Sequence, residues 1–346
     1  MKPRIVCVDP DAEVLGALRD ALRPRGRAWD LTFFADAAEA LAGLCATRPD
    51  VVVADPELAG AGVPFLLDVE ARWPRGVRIA LARGSLGAVE PADRLRPHLT
   101  LSGTGPLLAA LDLLAERRAA LPEPELAARA VAQGGLPPSP ATFRALFEAV
   151  GADAPPAELA RLAERDVAVT AKILQLAGPG GGGVRAALAS LDGDLFQHAL
   201  LALGGVARPD EAALEAANEH ARQVARAAAL LVPDPALREG AYLAGLLHDV
   251  GELVAPAHEA PHAELGAYLL AVWGLPAPVV DAVAYHHRPS AQSADDVTLA
   301  DVVHFAETVV AADATALDAA RLAQLSRSGQ LDRWRKGAAA PTSDRT

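Results

Sequence analysis

The sequence predicts a chain in two parts: an α/β doubly wound fold with a five-stranded parallel sheet, followed by an all-α helical domain. Three observations carry this prediction. Short β-branched runs alternate with helical patterns over residues 1–121. Helical patterns without strand partners fill residues 141–328, and a segment rich in Pro and Gly, residues 122–140, is the expected linker. Residues 329–346 are expected to hold the end of a helix and a disordered tail.

The first part is predicted from five strand-like runs. They are residues 5–8, 31–34, 51–54, 77–81 and 99–101. The helical patterns that alternate with them cover residues 11–22, 37–45, 64–71, 90–95 and 107–121. Asp11 is the expected N-cap of the first helix, because its carboxylate can accept a hydrogen bond from the first turn. Since parallel strands need crossover connections, this alternation predicts helices on both faces of the sheet.

Acidic residues stand where two of the predicted strands end. Asp9 and Asp11 follow the first strand, and Asp55 follows the third. In doubly wound sheets, ligands gather at the carboxyl ends of the strands, beside the point where the strand order reverses. The sequence therefore predicts acid chemistry at this edge of the sheet.

The second part is predicted to be a set of helices. Their patterns cover residues 141–150, 158–165, 167–177, 195–203, 211–231, 238–247, 262–273, 278–285 and 298–312. Asp166 is the expected N-cap of the third, Gly251 the expected stop after residue 247, and Gly274 the stop after residue 273. The glycine-rich stretch over residues 178–183 lacks the Lys and Ser or Thr of a phosphate-binding loop, and we interpret it as a flexible loop.

The histidines of the second part suggest a metal site. Six of the nine histidines lie between His220 and His287, and most of them lie at helix ends or within apolar helices. Facing helices that each supply an inward ligand are the usual way to build a metal site in a bundle. The candidate ligands are His220, His248, Asp249, His262, His286, His287 and Glu307. The alternative is that these histidines satisfy one another's hydrogen bonds in the core.

Composition limits the remaining possibilities. The chain has 346 residues, of which 51% are hydrophobic, and one core rarely serves more than about 250 residues. The net charge of -12 argues against direct DNA binding, which needs clustered Lys and Arg. Cys7 and Cys45 match no metal or redox spacing, and both are interpreted as reduced core residues. No apolar run approaches the roughly 18 residues that span a bilayer, so we expect a cytoplasmic protein without a signal peptide or membrane contact.

Residues 1–121 resemble the receiver domain of two-component response regulators. Asp9 and Asp55 stand at the positions of a magnesium-binding acid and of the phosphoacceptor. Pro10 occupies the place of the second acid, the fourth strand ends in Ala80-Leu81-Ala82-Arg83 without a hydroxyl, and residues 101–105 contain no lysine. Phosphoryl transfer needs charge neutralisation by a metal ion and an ammonium group. The resemblance therefore implies a pseudo-receiver without magnesium that docks or dimerises; phosphorylation of Asp55, with Asp11 replacing the second acid, is the alternative.

Residues 136–325 resemble the HDOD domain, a helical relative of the HD metal phosphohydrolases. The resemblance rests on Leu136-Pro137-Pro138, Glu164-Arg165-Asp166, the run from Ala244 to Asp249, and Tyr285-His286-His287-Arg288-Pro289. It implies that His220, His248, Asp249 and Glu307 bind metal, with Glu307 in place of the usual aspartate. His262, His286 and His287 match the additional histidines of the HD-GYP branch, which cleaves cyclic dinucleotides. Glu252 replaces the lysine of that branch, and no Gly-Tyr-Pro signature follows the paired histidines.

Two functions remain open. The first is a bacterial-type signal-transduction protein in which the pseudo-receiver regulates or docks the HDOD module. That module would act through contacts with signalling proteins and would hold one or two divalent ions of the Fe, Mn, Zn or Ni type. A homodimer is expected to form, if at all, through the receiver-like domain. The second is a metal-dependent phosphohydrolase acting on a nucleotide or cyclic dinucleotide, in which Asp249 assists proton transfer. Glu252 favours the first, because an acid at that position repels a phosphate.

Overall fold

The computed structural model describes residues 2–60, 63–82, 97–179, 182–206, 210–232, 234–255, 260–327 and 329. The predicted helix over residues 90–95, Arg83, the middle of the glycine-rich stretch and the predicted tail lie outside these ranges. The chain divides into two compact units, each made of three segments. The first unit contains Met1–Leu136, Lys172–Val206 and Tyr268–Leu275, and the second contains Pro137–Ala171, Ala207–Ala267 and Pro276–Thr346.

The first unit is built around a five-stranded parallel sheet. Its strands are β1 (Arg4–Val8), β2 (Asp30–Phe34), β3 (Val51–Ala54), β4 (Val77–Ala82) and β5 (Leu99–Ser102). They pair in the order β2-β1-β3-β4-β5. Every residue of β3 and β4 is buried, as expected when helices cover both faces of a parallel sheet. The predicted α/β doubly wound fold is confirmed, and its strand order reverses at β1, between β2 and β3.

The helices account for most of the rest of the described chain. In chain order they are α1 (Ala12–Leu22), α2 (Ala37–Thr47), α3 (Phe65–Arg72), α4 (Thr104–Ala120), α5 (Pro124–Val131), α6 (Pro140–Gly151), α7 (Pro156–Ala163), α8 (Val167–Ala177), α9 (Val184–Ser190), α10 (Gly193–Gly204), α11 (Glu211–Leu231), α12 (Pro235–Leu247), α13 (His262–Val272), α14 (Ala277–Tyr285), α15 (Leu299–Ala311) and α16 (Ala319–Arg327). The all-α character of the second part is confirmed.

Several elements were not predicted from the sequence. Helix α5 lies inside the expected linker, residues 122–140, and begins at Pro124, a position where the missing N–H has no cost. Helix α9 follows the glycine-rich stretch directly. A short antiparallel hairpin pairs Ala59–Gly60 with Val63–Pro64 before α3.

The predicted helix caps were partly correct. Asp11 Oδ1 accepts a hydrogen bond of 2.8 Å from the Glu13 N–H, and Asp166 Oδ1 accepts one of 3.0 Å from the Val169 N–H. Gly274 follows α13 with a left-handed φ of 73°. The prediction for Gly251 was wrong, because α12 ends at Leu247 and Gly251 lies inside a 3-10 turn, Val250–Leu253.

The two cysteines differ in exposure. Cys7 is buried in β1, and burial raises the pKa of its thiol to about 12. Cys45 is exposed on α2, so the prediction that both cysteines are core residues was wrong for Cys45. Cys45 stands between the apolar residues Leu44 and Ala46, so the local sequence does not distinguish the exposed face of α2 from its buried face.

Four helices of the second unit meet in one apolar cluster. They are α11, α12, α14 and α15, and the cluster consists of Val224, Ala228, Val232, Ala241, Ala244, Ala282, Val302, Val303 and Ala306. Small side chains let helix backbones approach closely, which brings together the polar residues at the helix ends. In the part of the chain that the structure describes, no helix combines the length and apolar character needed to cross a bilayer.

Candidate metal centre

The structure brings all seven predicted ligand side chains together in the second unit. Each comes from a different position on the bundle, and these positions are set by the four helices of the apolar cluster and by α13. His220 lies within α11, His248 and Asp249 follow α12, His262 begins α13, His286 and His287 follow α14, and Glu307 lies on α15.

Asp249 lies at the centre of the cluster. Its Oδ2 atom is 3.0 Å from Nε2 of His248 and 3.8 Å from Nε2 of His220. Its Oδ1 atom is 3.3 Å from Nε2 of His262 and 3.6 Å from Nε2 of His286. The two carboxylate oxygens therefore face different pairs of histidines.

The ligand-type atoms fall into two groups. Asp249, His262, His286 and His287 form one group, and within it one ligand atom per residue lies within 4.8 Å of the others. His220, His248 and Glu307 form the second group by the same distance. Because Asp249 Oδ2 also approaches His248 and His220, this carboxylate connects the two groups. The arrangement has the nitrogen and oxygen atoms that a pair of divalent ions would use.

Two histidines at the centre are fully buried and are oriented by their own helices. Nδ1 of His248 donates to the Gly245 carbonyl at 2.9 Å, and Nδ1 of His286 donates to the Val283 carbonyl at 2.8 Å. Both Nε2 atoms are buried, and although Nε2 of His248 lies 3.0 Å from Asp249 Oδ2, neither atom forms a hydrogen bond of acceptable geometry with a described residue. A buried polar atom without a partner costs free energy unless something else binds it. Unpaired Nε2 atoms aimed at one carboxylate fit a cation better than they fit a self-satisfied core.

The cluster opens toward solvent on the side of His287 and His220. The His287 side chain is 51% exposed and that of His220 is 38% exposed. Nε2 of His287 lies 2.8 Å from Nε2 of His262, and its Nδ1 lies 3.9 Å from Glu307 Oε2. A molecule from solvent could therefore reach these ligands, whereas His248 and His286 are closed off from it.

Electrostatics in the cluster are dominated by Asp249. Burial alone would raise the pKa of the Asp249 carboxyl, but His248, His262 and His286 together hold it well below its usual range. Burial opposes the protonation of His248, yet Asp249 and Glu307 raise the pKa of His248 above its usual value. The Asp249 contact also raises the pKa of His262. Burial, followed by the charges of His286 and His262, lowers the pKa of His287 to about 4. The centre of the cluster attracts positive charge, as a cation site must.

Three glycines set the spacing between the helices that carry the ligands. A Cβ atom on Gly251 would lie 2.0 Å from the His262 carbonyl oxygen, and one on Gly245 would lie 2.8 Å from the Ala225 Cα. A Cβ atom on Gly266 would lie 2.9 Å from the Gly251 nitrogen. Backbone atoms therefore approach one another where a side chain would separate them, on both sides of Asp249. The sequence places Gly251 shortly after the His-Asp pair, but it does not show any of these three close backbone contacts.

One histidine outside the predicted set is tied to the cluster. His304 belongs to neither ligand group, although it shares a helix face with Glu307. Its Nδ1 donates to the His286 carbonyl at 2.6 Å, and its Nε2 accepts from the Asp318 N–H at 2.9 Å. Asp318 was not predicted from the sequence, because its hydrogen bond to His304 forms only in the folded chain.

The acidic residues of the first unit lie at the carboxyl edge of the sheet, as predicted. Val8 pairs with Ala54, so Asp9 and Asp55 follow adjacent strands. Asp9 is buried, and its Oδ1 accepts from the Asp11 N–H at 2.8 Å. Asp55 Oδ1 accepts from the Glu57 N–H at 2.8 Å. Asp9 and Asp55 thus lie near the point where the strand order reverses, and each carboxylate accepts a hydrogen bond from a backbone N–H of its own loop.

One family model matches the segment of the chain that carries the histidine cluster. Residues 218–316 match the family model of the HD domain, and this range contains all seven predicted ligands. Ribonuclease Y from Syntrophobacter fumaroxidans is 38% identical over 97 residues, which are 28% of this chain and 17% of that protein. The match therefore spans less than a fifth of that relative.

Two solved structures are similar to the chain at low identity. The MmoQ response regulator from Methylococcus capsulatus str. Bath is 20% identical with a TM-score of 0.44, over 59% of this chain and 98% of that one. An HDOD domain protein from Geobacter sulfurreducens is 20% identical with a TM-score of 0.27, over 67% of this chain and 98% of that one. The chain combines a doubly wound α/β fold with a helical part in which residues 218–316 match the family model of the HD domain.

Proposed function

We propose that this chain is a signal-transduction protein whose HD-type domain holds a metal centre and acts through contacts with other signalling proteins. The observation that carries the metal centre is the pair of buried Nε2 atoms, of His248 and His286, which face Asp249 without forming a hydrogen bond of acceptable geometry with a described residue. The architecture of receiver-like fold and HD-type domain supports a role in signalling.

The donor set fits two divalent ions. His262, His286 and His287 would bind one ion and His220, His248 and Glu307 the other, with one oxygen of Asp249 directed at each group. A mixture of imidazole and carboxylate donors suits Fe, Mn, Zn or Ni. The Nδ1 bonds of His248 and His286 to helix carbonyls fix the ring orientation, as partners of metal ligands usually do.

Glu252 supports regulation rather than catalysis. It is exposed in the 3-10 turn that follows Asp249, and its charge contributes to the raised pKa of His262. A phosphate group that approached His262 would therefore meet a negative charge where a hydrolase needs a cation. The receiver-like unit is proposed to be a pseudo-receiver for the same kind of reason, because Pro10 stands in place of a second acid.

Metal content tests this proposal. We expect purified wild-type protein, after dialysis against a mild chelator, to retain one to two transition-metal ions per chain by elemental analysis. His248→Ala removes one of the buried donors and should lose most of that metal. His198→Ala is the matched control, since His198 is exposed and bonds to the Asp194 carbonyl of its own helix. Equal metal content in His248→Ala and wild type, or no bound metal in either protein, would contradict the proposed metal centre.

The second candidate is a metal-dependent phosphohydrolase, with a nucleotide or cyclic dinucleotide as substrate. Two observations favour it: the solvent-open side at His287 and His220, and the match to a ribonuclease. Bound ions would polarise a phosphate and acidify a water molecule at this opening. Metal-dependent release of phosphate or linear product from a panel of nucleotides, abolished in His248→Ala, would favour this candidate; no release from the metal-loaded protein would exclude it for that panel.

A further inference from the structure

His304 is a buried histidine of α15 with both ring nitrogens in use. It is 5% exposed and lies one turn before Glu307. Its Nδ1 is 2.6 Å from the His286 carbonyl oxygen, and its Nε2 is 2.9 Å from the Asp318 nitrogen. Neither partner is a side chain, so the ring connects two stretches of backbone.

The identity of the two partners determines which nitrogen carries the hydrogen. A backbone N–H can only donate, so Nε2 of His304 must accept from Asp318. A carbonyl can only accept, so Nδ1 must donate to His286. His304 therefore uses one tautomer, with a donor at one end of the ring and an acceptor at the other.

A second contact completes the connection. Asp318 Oδ2 accepts from the Ser290 N–H at 2.8 Å, and its Oδ1 accepts from the Arg321 N–H at 3.1 Å. The chain from His286 to Ser290 is thus held at its first residue by His304 and at its last by Asp318. We call this arrangement of His304, Asp318 and Ser290 the backbone clamp.

The clamp is anchored by a buried ion pair. Arg321 Nε is 2.7 Å from Asp301 Oδ1, and Arg321 Nη2 is 2.8 Å from Asp301 Oδ2. Arg321 is on α16 and Asp301 is in the first turn of α15, the helix that carries His304. A two-pronged contact between a guanidinium and a carboxylate fixes both partners in orientation, so Asp318, at the start of α16, is held in register with His304.

We infer that His304 is a positioning residue for the metal centre, acting on His286 and His287 through the backbone clamp. This role rests on the proposed metal centre. Removing His304 leaves every proposed ligand in place but frees the backbone that aims two of them. Outer partners of this kind typically change metal affinity by about 10- to 100-fold. The group of His220, His248 and Glu307 has no bond to the clamp among those described, and its ion should keep its affinity.

Chelator competition on the full-length, metal-loaded chain tests the role. The variants are His304→Ala, His304→Asn, which keeps a donor near the Nδ1 position, and His304→Gln, which keeps a polar atom near the Nε2 position. We expect His304→Ala and His304→Gln to lower the affinity for one of the two ions by about 10-fold or more. The affinity of His304→Asn should stay within about threefold of wild type. If His304→Ala does not fold, the comparison of Asn with Gln decides.

Asp234→Ala separates positioning from general stability. Asp234 is exposed and caps the start of α12 by accepting from the Ala236 N–H, so this variant should destabilise the second unit without changing metal affinity. Equal weakening of metal binding in Asp234→Ala and His304→Ala, or wild-type affinity in His304→Ala, would overturn the positioning role while leaving the metal centre intact. A wild-type protein without bound metal would overturn the proposed centre and this role together.

Discussion

Buried histidines in this chain fall into two kinds, and the difference lies in their second ring nitrogen. His98 is 3% exposed, and both its nitrogens have partners: Nδ1 accepts from the Arg78 N–H at 2.9 Å and Nε2 donates to the Val131 carbonyl at 2.8 Å. His248 and His286 each use only Nδ1 in this way. His98 shows the pattern of a core histidine whose two nitrogens both have partners, and the two buried histidines of the proposed metal centre do not have that pattern.

Both ring nitrogens of His98 have hydrogen-bond partners when the ring is neutral, so protonation of this ring in acid should destabilise the first unit. Burial first, and the charge of Arg78 second, lower the pKa of His98 from 6.5 to about 3. Between these pH values the unfolded chain binds a proton that the folded chain excludes, so the free energy of unfolding decreases as pH falls. The decrease is at most about 1.4 kcal/mol per pH unit. His98→Gln should be less stable than wild type at pH 7 and should lose less stability between pH 6.5 and pH 4.5.

Urea unfolding of both proteins at several pH values measures this difference. His198→Ala removes an exposed histidine and serves as the control for the loss of any titrating ring. If the pH dependence of His98→Gln runs parallel to that of wild type, protonation of His98 is not what destabilises the fold in acid.

At the level of elements, close approach of backbones distinguishes Gly251 from an ordinary loop glycine. The atoms that an added Cβ would meet there are the His262 carbonyl oxygen at 2.0 Å and the Gly266 nitrogen at 2.8 Å, and neither can move without its helix. Gly251→Ala should therefore lower the free energy of unfolding by about 1–3 kcal/mol and should also weaken metal binding, because α13 carries His262. Gly16→Ala is the control, since nothing lies within 4 Å of that position and alanine suits a helix interior better by about 0.5–1 kcal/mol.

Thermal unfolding and chelator competition on the two variants give the answer. Wild-type stability in Gly251→Ala would mean that the 3-10 turn can shift away from α13 at little cost. Loss of stability with unchanged metal affinity would mean that the spacing between these elements does not control the ligands.

The periodicity of apolar residues was enough to predict most elements, because an element that packs one face against a core repeats its apolar residues at its own period. Strand β3 and helix α11 were predicted with the bounds that the structure has. Helix α5 was hidden by the Pro and Gly residues around it, whose effect depends on position within a helix. The candidate ligands were predictable from the chemistry of their side chains. His304 and Asp318 were not, because they meet across 14 residues through a backbone N–H that the sequence does not distinguish from any other.

The net charge acts at the level of the whole molecule and bears on the choice of function. A value of -12 makes the chain repel polyanions at long range, and binding to a nucleic-acid backbone depends on Lys and Arg. An RNA substrate is therefore disfavoured for this chain, although one relative is a ribonuclease. A small nucleotide carries less charge and remains the more suitable substrate for the second candidate function.

A signal could enter the molecule through phosphorylation of Asp55 in the receiver-like unit. A phosphoryl group on Asp55 would need a metal ion and an ammonium group beside it. Asp11 Oδ1 is engaged with the Glu13 N–H, the Ser102 hydroxyl donates to the Ala82 carbonyl at 3.5 Å, and residues 101–105 supply no lysine. We therefore expect beryllium fluoride with magnesium, a phosphoryl mimic, to leave the amide NMR signals of Asp55 and its neighbours unchanged.

The mimic should also leave the oligomeric state unchanged in sedimentation experiments, because a pseudo-receiver docks or dimerises without phosphorylation. Asp55→Asn is the matched control, since it removes the acceptor charge and keeps nearly the same shape. Signal shifts that appear with the mimic in wild type and are missing in Asp55→Asn would show an active phosphoacceptor. In that case Asp9 and Asp11 would have to supply the metal site without a second acid at Pro10, and input to the HD-type domain would depend on phosphorylation rather than on docking alone.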